Sequence, residues 1–217
     1  MREAPKKIFV HIGTPKTGTT ALQTFFANHT DLLAKNNIVY PIAGRRRNQH
    51  FYLAIPQVNN KKLVEQVWQS LYDELNTTQW DTAVISSERF SRESPSEIFK
   101  ALECFNAEIH IVLFLRERKA LLSSHYRTLI KSGSRVCCSA DAFIPFCLDR
   151  SDVFDYDALI TRWCHLFGSN NVLEHLEKPH MTLDERYRIT KKDCGLVIAV
   201  PGQLGFQSDE DHKKFYG

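Results

Sequence analysis

The sequence has no apolar run long enough to cross a membrane and little imbalance of charge. The apolar stretch nearest the N-terminus begins after Lys7 and stops at Gly13, whereas a bilayer span needs about 20 apolar residues and a signal peptide needs an apolar core of at least about 7. The net charge of +3 over 217 residues is too small to indicate a nucleic-acid-binding surface. We therefore expect a soluble cytoplasmic protein with no membrane span and no nucleic-acid partner.

Cysteine spacing typical of metal sites is also missing. The six cysteines include no C-x-x-C pair, and a chain of this size does not require disulfides. We expect no metal site and predict that most cysteines are small buried side chains in a reducing compartment. There is no internal repeat, and a hydrophobic content of 43% suits a single domain spanning residues 1–217.

What the sequence does contain is an apolar segment that opens into a glycine-containing loop. Residues 8–12 have the composition of a strand, Gly13 and Gly18 interrupt the pattern, and apolar residues then recur with helical spacing from residue 21. A strand, loop and helix in this order direct backbone N–H groups and a helix N-terminus at one point. The segment therefore predicts a ligand that carries phosphate.

The loop differs from the nucleotide-triphosphatase signature G-x-x-x-x-G-K-[ST]. Gly13 and Gly18 have the right spacing, but Thr19 stands where the signature has lysine, and the lysine of the loop is Lys16. This difference disfavours ATP hydrolysis, and a nucleotide kinase or other phosphotransferase is kept only as an alternative. The residues Pro15-Lys16-Thr17-Gly18-Thr19-Thr20 instead resemble the 5′-phosphosulfate-binding loop of sulfotransferases that use 3′-phosphoadenosine 5′-phosphosulfate (PAPS).

Strand-like and helix-like segments alternate along the chain. This alternation predicts a parallel sheet covered on both faces, in an α/β fold with three αβα layers that resembles P-loop nucleotide hydrolases. Ligands bind beyond the carboxyl ends of the strands in such sheets. The predicted strands lie near residues 7–12, 38–41, 82–86, 109–115 and 171–175.

Two further segments support the resemblance. Residues 115–126 resemble the family's 3′-phosphate-binding segment, in which an arginine at a strand end precedes a helical serine by eight positions, and Arg116 and Ser124 fit these places. Residues 156–173 resemble the helix, Phe-Gly turn and last strand of bacterial sulfotransferase-like proteins. The resemblance covers about residues 8–176. The atypical segment 177–217 has no counterpart of a glycine- and basic-rich segment found late in some members.

The resemblance implies an enzyme that moves a sulfuryl group from PAPS to an acceptor hydroxyl or amine, leaving 3′,5′-bisphosphoadenosine (PAP). No metal is implied, and the acceptor is of unknown class: a carbohydrate, a lipid or a small molecule. Lys16 is expected to neutralise charge that develops on the leaving 5′-phosphate. The atypical C-terminal segment keeps a catalytically inactive nucleotide-binding or interaction module as a further alternative. The implied cofactor-binding residues are Pro15, Lys16, Thr17, Gly18, Thr19, Thr20, Arg116 and Ser124.

The general base is left open by the resemblance, since relatives place it either after the second strand or just after the third. These loops contain His50 and Glu88. The ordinary pKa of histidine slightly favours His50, whereas Glu88 would need a raised pKa or would orient the acceptor or Lys16. The loop of His50 also contains the run Arg45-Arg46-Arg47, which is either a solvated surface or an anion-guiding rim of the acceptor pocket.

Overall fold

A five-stranded parallel sheet forms the framework of the chain, as seen in a computed structural model that describes residues 5–54, 57–116, 118–134, 138–143, 147 and 156–177. The order of its strands is β2-β3-β1-β4-β5, and every neighbouring pair is parallel. The predicted strands and their parallel arrangement are confirmed. The strands are β1 (Lys7–Gly13), β2 (Ile38–Val39), β3 (Thr82–Ser86), β4 (Glu108–Arg116) and β5 (Val172–Glu177).

Helices follow the strands along the chain. The sequence predicts one helix from the loop to about residue 35, but the structure divides it at His29. The backbone of His29 leaves the helical region at φ −122°, and its ring stacks on Phe25 with the centroids 4.5 Å apart. The helices are α1 (Thr19–Asn28), α2 (Thr30–Ala34), α3 (Gln57–Thr77), α4 (Pro95–Leu102), α5 (Arg118–Lys131) and α6 (Tyr156–Phe167).

The hydrophobic core occupies both faces of the sheet. Ile8, Val10 and Ile12 of β1 are fully buried in a cluster that includes side chains of α3, α4 and α6. In a second cluster, Val84 of β3 packs with Phe26 of α1 and with side chains around α2. The predicted three layers are therefore confirmed. Burial on both faces explains why the central strands have nearly continuous apolar sequences.

The carboxyl ends of β1, β3 and β4 meet at one edge of the sheet. The N–H of Thr14, just after β1, donates to the carbonyl oxygen of Phe114 in β4 at 2.9 Å. On the other side, a Cβ atom on Gly13 would lie 3.1 Å from the carbonyl oxygen of Glu88, and Gly13 has a φ of +109°. Glycine is thus required here by both the close approach and the backbone conformation. The loop after β1 is held between its two neighbours.

Several sequence expectations concern absences or lie outside the described residues. None of the described helices is long and apolar enough to span a membrane. Among the described residues, no group of three His, Cys, Asp or Glu side chains is placed to hold a metal ion. The cysteine prediction is wrong for the four that are described, since Cys104 and Cys138 are exposed and Cys147 and Cys164 are partly buried. Residues 178–217, most of the atypical segment, lie outside the described residues.

Candidate functional site

The loop between β1 and α1 forms a short, internally bonded turn. Lys16 has a φ of +68° and Gly18 a φ of +76°, and the hydroxyl of Thr17 donates to the carbonyl oxygen of Thr14 at 2.6 Å. Gly18 precedes α1 and supplies no side-chain cap. The first backbone N–H groups of α1 therefore need another acceptor, and an anion is the ligand that a helix N-terminus favours.

Arg116 braces this loop from the end of β4. Its Nη1 donates to the carbonyl oxygen of Lys16 at 3.0 Å, across 100 residues of sequence. The backbone of Arg116 is itself fixed, because its carbonyl oxygen accepts from the hydroxyl of Tyr156 at 2.8 Å. Two basic residues selected from separate sequence motifs are thus brought into contact. Among the residues whose side chains the structure describes, a set that excludes residues 173–177, no carboxylate lies within ion-pair distance of either side chain.

Glu88 lies on the opposite side of the loop, beyond β3. It begins a 3-10 helix, Glu88–Arg92, and the backbone ahead of this helix is anchored because the N–H of Ser87 donates to the carbonyl oxygen of His11 at 3.0 Å. The carboxylate Oε1 of Glu88 accepts from the hydroxyl of Thr19 at 2.8 Å. Glu88 is half-buried and sits beside the first residue of α1.

The threonine hydroxyls of the loop are mostly engaged within the protein. Thr17 and Thr19 are buried, and their hydroxyls donate to Thr14 and Glu88. Thr20 is exposed. The resemblance to sulfotransferases predicts that Thr17, Thr19 and Thr20 hold the phosphosulfate through N–H and hydroxyl donors. In the observed arrangement, Thr17 and Thr19 have only their backbone N–H groups to offer.

His50 is fully buried beneath this edge of the sheet. Its Nδ1 accepts from the N–H of Ser86 at 3.0 Å, and its Nε2 donates to the carbonyl oxygen of Pro41 at 2.9 Å. Burial lowers the pKa of His50 to about 4. The expectation of an ordinary pKa is therefore corrected. Both ring nitrogens are occupied, so His50 fastens the loop after β2 to β3.

Ser86 is the centre of a buried polar network that sequence reasoning missed. Its hydroxyl accepts from Nε2 of Gln23 at 3.0 Å and lies 2.7 Å from Nδ1 of His11. Burial lowers the pKa of His11 to about 3, so this histidine stays neutral at ordinary pH. The network ties β1, β3 and α1 together directly under the loop. The available signal was a pair of polar residues, Ser86 and Ser87, at the end of an apolar strand.

α5 contributes a further basic group near the loop. Ser124, the predicted 3′-phosphate ligand, is half-buried on this helix, and His125 follows it. Partial burial, then the positive charges of Lys16 and Arg92, lower the pKa of His125. His125 therefore lies within electrostatic reach of the loop.

Comparison with known proteins identifies the architecture. No protein-family model and no curated protein sequence matches this chain. Among solved structures, a sulfotransferase from Alicyclobacillus acidocaldarius matches with a TM-score of 0.50 and 15% identity, over 96% of this chain and 83% of that one. The fold is that of a sulfotransferase.

Two other solved structures are similar to this chain at lower scores. Mouse sulfotransferase SULT7A1, complexed with PAP, has a TM-score of 0.43 and 16% identity, over 99% of this chain and 64% of the mouse chain. The sulfotransferase domain from the curacin biosynthetic pathway has a TM-score of 0.46 and 14% identity, over 100% of this chain and 79% of that domain. The chain thus spans less than two thirds of the mouse protein.

Within this sulfotransferase-like fold, the predicted site residues divide into two groups. Lys16, Arg116 and Glu88 converge on the loop between β1 and α1, while His50 is held below it by two hydrogen bonds. The loop combines an uncapped helix N-terminus with two cationic side chains. The chemistry of this loop favours an anionic ligand.

Proposed function

We propose that this protein is a sulfotransferase that binds PAPS and transfers its sulfuryl group to an acceptor hydroxyl or amine in the cytoplasm. The observation that carries the proposal is the contact between Arg116 and the Lys16 carbonyl beside the uncapped start of α1. It brings a loop suited to a 5′-phosphosulfate within reach of a guanidinium suited to a 3′-phosphate. The sulfotransferase-like fold supports the same conclusion.

Each basic group has a separate task in this proposal. The backbone N–H groups at the start of α1 bind the 5′-phosphosulfate, and Lys16 neutralises charge on the oxygen that leaves with the 5′-phosphate. Arg116 binds the 3′-phosphate through its planar fork of donors, and Ser124 adds a hydroxyl donor from α5. PAPS supplies the electrophilic sulfur when bound. Pro15, Thr17, Gly18 and Thr20 complete the wall of the loop.

We assign the base to Glu88 instead of His50. Thr19 occupies Oε1 of Glu88, and no described residue donates a hydrogen bond to Oε2, which can therefore accept from an acceptor hydroxyl. His50 is fully buried with both nitrogens bonded, so it cannot take that proton without breaking the loop anchor. The oxygen–sulfur bond forms as the acceptor proton moves to Glu88, and the bond to the leaving phosphate oxygen breaks.

Thermal unfolding with added nucleotides tests the proposal. PAP should raise the midpoint of unfolding more than ATP or AMP at the same concentration, since a ligand that binds only the folded state stabilises it. ATP as effective as PAP would favour a phosphotransferase. PAP binding with no sulfuryl transfer to any acceptor in a broad panel would favour an inactive nucleotide-binding module. Absence of any PAP effect would reject the proposal.

A further inference from the structure

Two arginines share one aromatic ring beside the candidate site. The Cζ atom of Arg46 lies 5.0 Å from the centroid of the Phe51 ring, and the Cζ atom of Arg89 lies 4.6 Å from the same centroid. Arg45 lies over the ring of Tyr40 at 5.4 Å. We call Arg45, Arg46 and Arg89 the arginine cluster. It joins the loop after β2 to the 3-10 helix after β3, although the two segments are far apart in sequence.

The loop that carries two of these arginines is held in place by hydrogen bonds of its backbone. The N–H groups of Ile42 and Ala43 both donate to the carboxylate of Glu74 on α3, at distances of 2.7 to 3.0 Å. The backbones of Arg46 and Gln49 bond to each other in a tight turn. These bonds fix the start and the tip of the loop. The backbone that carries the arginine run is therefore held in place, although Arg46 and Arg47 are exposed.

The positive charge of the arginine cluster is not balanced by its described surroundings. Among the described residues, no carboxylate lies within ion-pair distance of any of the three guanidinium groups. Glu93 interacts electrostatically with Arg89, and burial raises the pKa of its carboxyl. Stacking on an aromatic ring holds a guanidinium in place and leaves its edge N–H groups available. Such groups can donate to an oxyanion.

The position of the arginine cluster relates it to the acceptor and not to the nucleotide. The strand order places β3 and β2 on one side of β1 and places β4 on the other. Arg116, the proposed 3′-phosphate ligand, is at the end of β4, so the nucleotide extends to that side. Arg89 directly follows Glu88, the proposed base, on the β3 side. The arginine cluster therefore shares a 3-10 helix with the proposed base and lies on the side of β1 away from Arg116.

We propose that the acceptor carries an anionic group, namely a carboxylate, a sulfate or a phosphate ester, close to the hydroxyl or amine that is sulfated. Arg46 and Arg89 bind this group and hold the acceptor against Glu88. The inference rests on the proposed sulfotransferase function and narrows its substrate class. The acceptor is accordingly a small polar anion such as an acidic sugar derivative, in preference to a neutral phenol or an uncharged lipid.

Matched pairs of acceptors test this inference directly. The first pair is phenyl glucuronide and phenyl glucoside, and the second is hydroxybenzoate and its methyl ester. In each pair, one member has a carboxylate where the other has a neutral hydroxymethyl or ester group. Binding of each compound is measured by calorimetry, with and without saturating PAP, in the wild type and in Arg46→Gln, Arg89→Gln and Arg47→Gln. Arg47 is an exposed neighbour in the same loop, and its replacement removes the same charge. Thermal unfolding verifies that every variant folds.

The expected result is that the anionic member of at least one pair binds the wild type roughly tenfold more tightly than its neutral partner. Arg46→Gln and Arg89→Gln should each remove most of that preference, while Arg47→Gln keeps it and PAP affinity stays unchanged. Equal affinities within both pairs would overturn the inference, as would a preference that survives in both variants. Loss of PAP affinity in Arg46→Gln or Arg89→Gln would also overturn it, because these arginines would then bind the cofactor and not the acceptor. Failure of the wild type to bind PAP would reject the sulfotransferase proposal separately.

Discussion

Replacing Arg116 with alanine tests the proposed cofactor site most directly, because the residue has two separable contacts. One is proposed, to the 3′-phosphate, and the other is seen, to the carbonyl oxygen of Lys16 at 3.0 Å. Loss of a charged partner of a phosphate should weaken PAP binding by about 2 to 4 kcal/mol. Loss of the bond to the loop, on a half-buried side chain, should cost about 1 kcal/mol.

The two contributions can be measured with a pair of nucleotides. Adenosine 5′-phosphosulfate lacks the 3′-phosphate, so in Arg116→Ala its binding free energy should weaken only by the part that comes from the bond between Arg116 and the loop. The binding free energy of PAP should weaken by the larger amount, because PAP loses both contributions. Isothermal calorimetry on the wild type and Arg116→Ala gives both differences. Arg127→Ala, which removes an exposed arginine of α5, is the matched control and should change neither affinity.

Arg116→Lys distinguishes charge from geometry at the same position. A lysine keeps the charge but lacks the planar fork, so it should recover only part of the PAP affinity. Equal losses for PAP and adenosine 5′-phosphosulfate in Arg116→Ala would refute the 3′-phosphate assignment. An unchanged affinity for adenosine 5′-phosphosulfate would instead refute the bracing role of the contact with Lys16.

Three other predictions concern the neighbouring residues. Lys16→Ala should lower kcat by roughly 10²-fold or more with a smaller change in PAPS affinity. Lys16→Arg should restore little of the lost kcat. A normal kcat with a raised KM would make Lys16 a binding residue only. Glu88→Gln should lower kcat by roughly 10²-fold while PAP binding is kept, whereas undiminished turnover would remove Glu88 as the base. His50 has a pKa of about 4 when folded and 6.5 as its ordinary value, so the stability it contributes is complete above about pH 6.5 and is lost as the pH falls towards 4. Urea unfolding of His50→Gln should therefore show a weaker pH dependence over this interval than the wild type, and identical slopes would contradict the assignment.

The sequence alone was sufficient to predict the secondary structure around the site. Alternating strand and helix patterns located the strands close to their observed bounds, and glycine spacing located the loop between β1 and α1. These features depend on local periodicity and backbone preference, which a short window of sequence contains. The break at His29 was missed because it depends on one histidine stacking on the preceding turn of the helix.

Only the tertiary structure decided which of the selected residues meet. The bond from Arg116 to Lys16 spans 100 residues, and the bond from Thr19 to Glu88 spans 69. Both follow from the strand order, which places β1 between β3 and β4. Strand order depends on how whole elements pack, and local sequence patterns do not contain it.

The burial of His50 shows the same division between local and tertiary information. The residues just before it are polar and include the arginine run, whereas Phe51 and Tyr52 follow it, and the sequence predicted an ordinary pKa for this histidine. In the structure, the N–H of Ser86 and the carbonyl oxygen of Pro41 bond to the two ring nitrogens. Sequence determined that a histidine follows the second strand. Packing of that loop against β3 determined that the histidine is desolvated, neutral and structural, because burial penalises the charged imidazole.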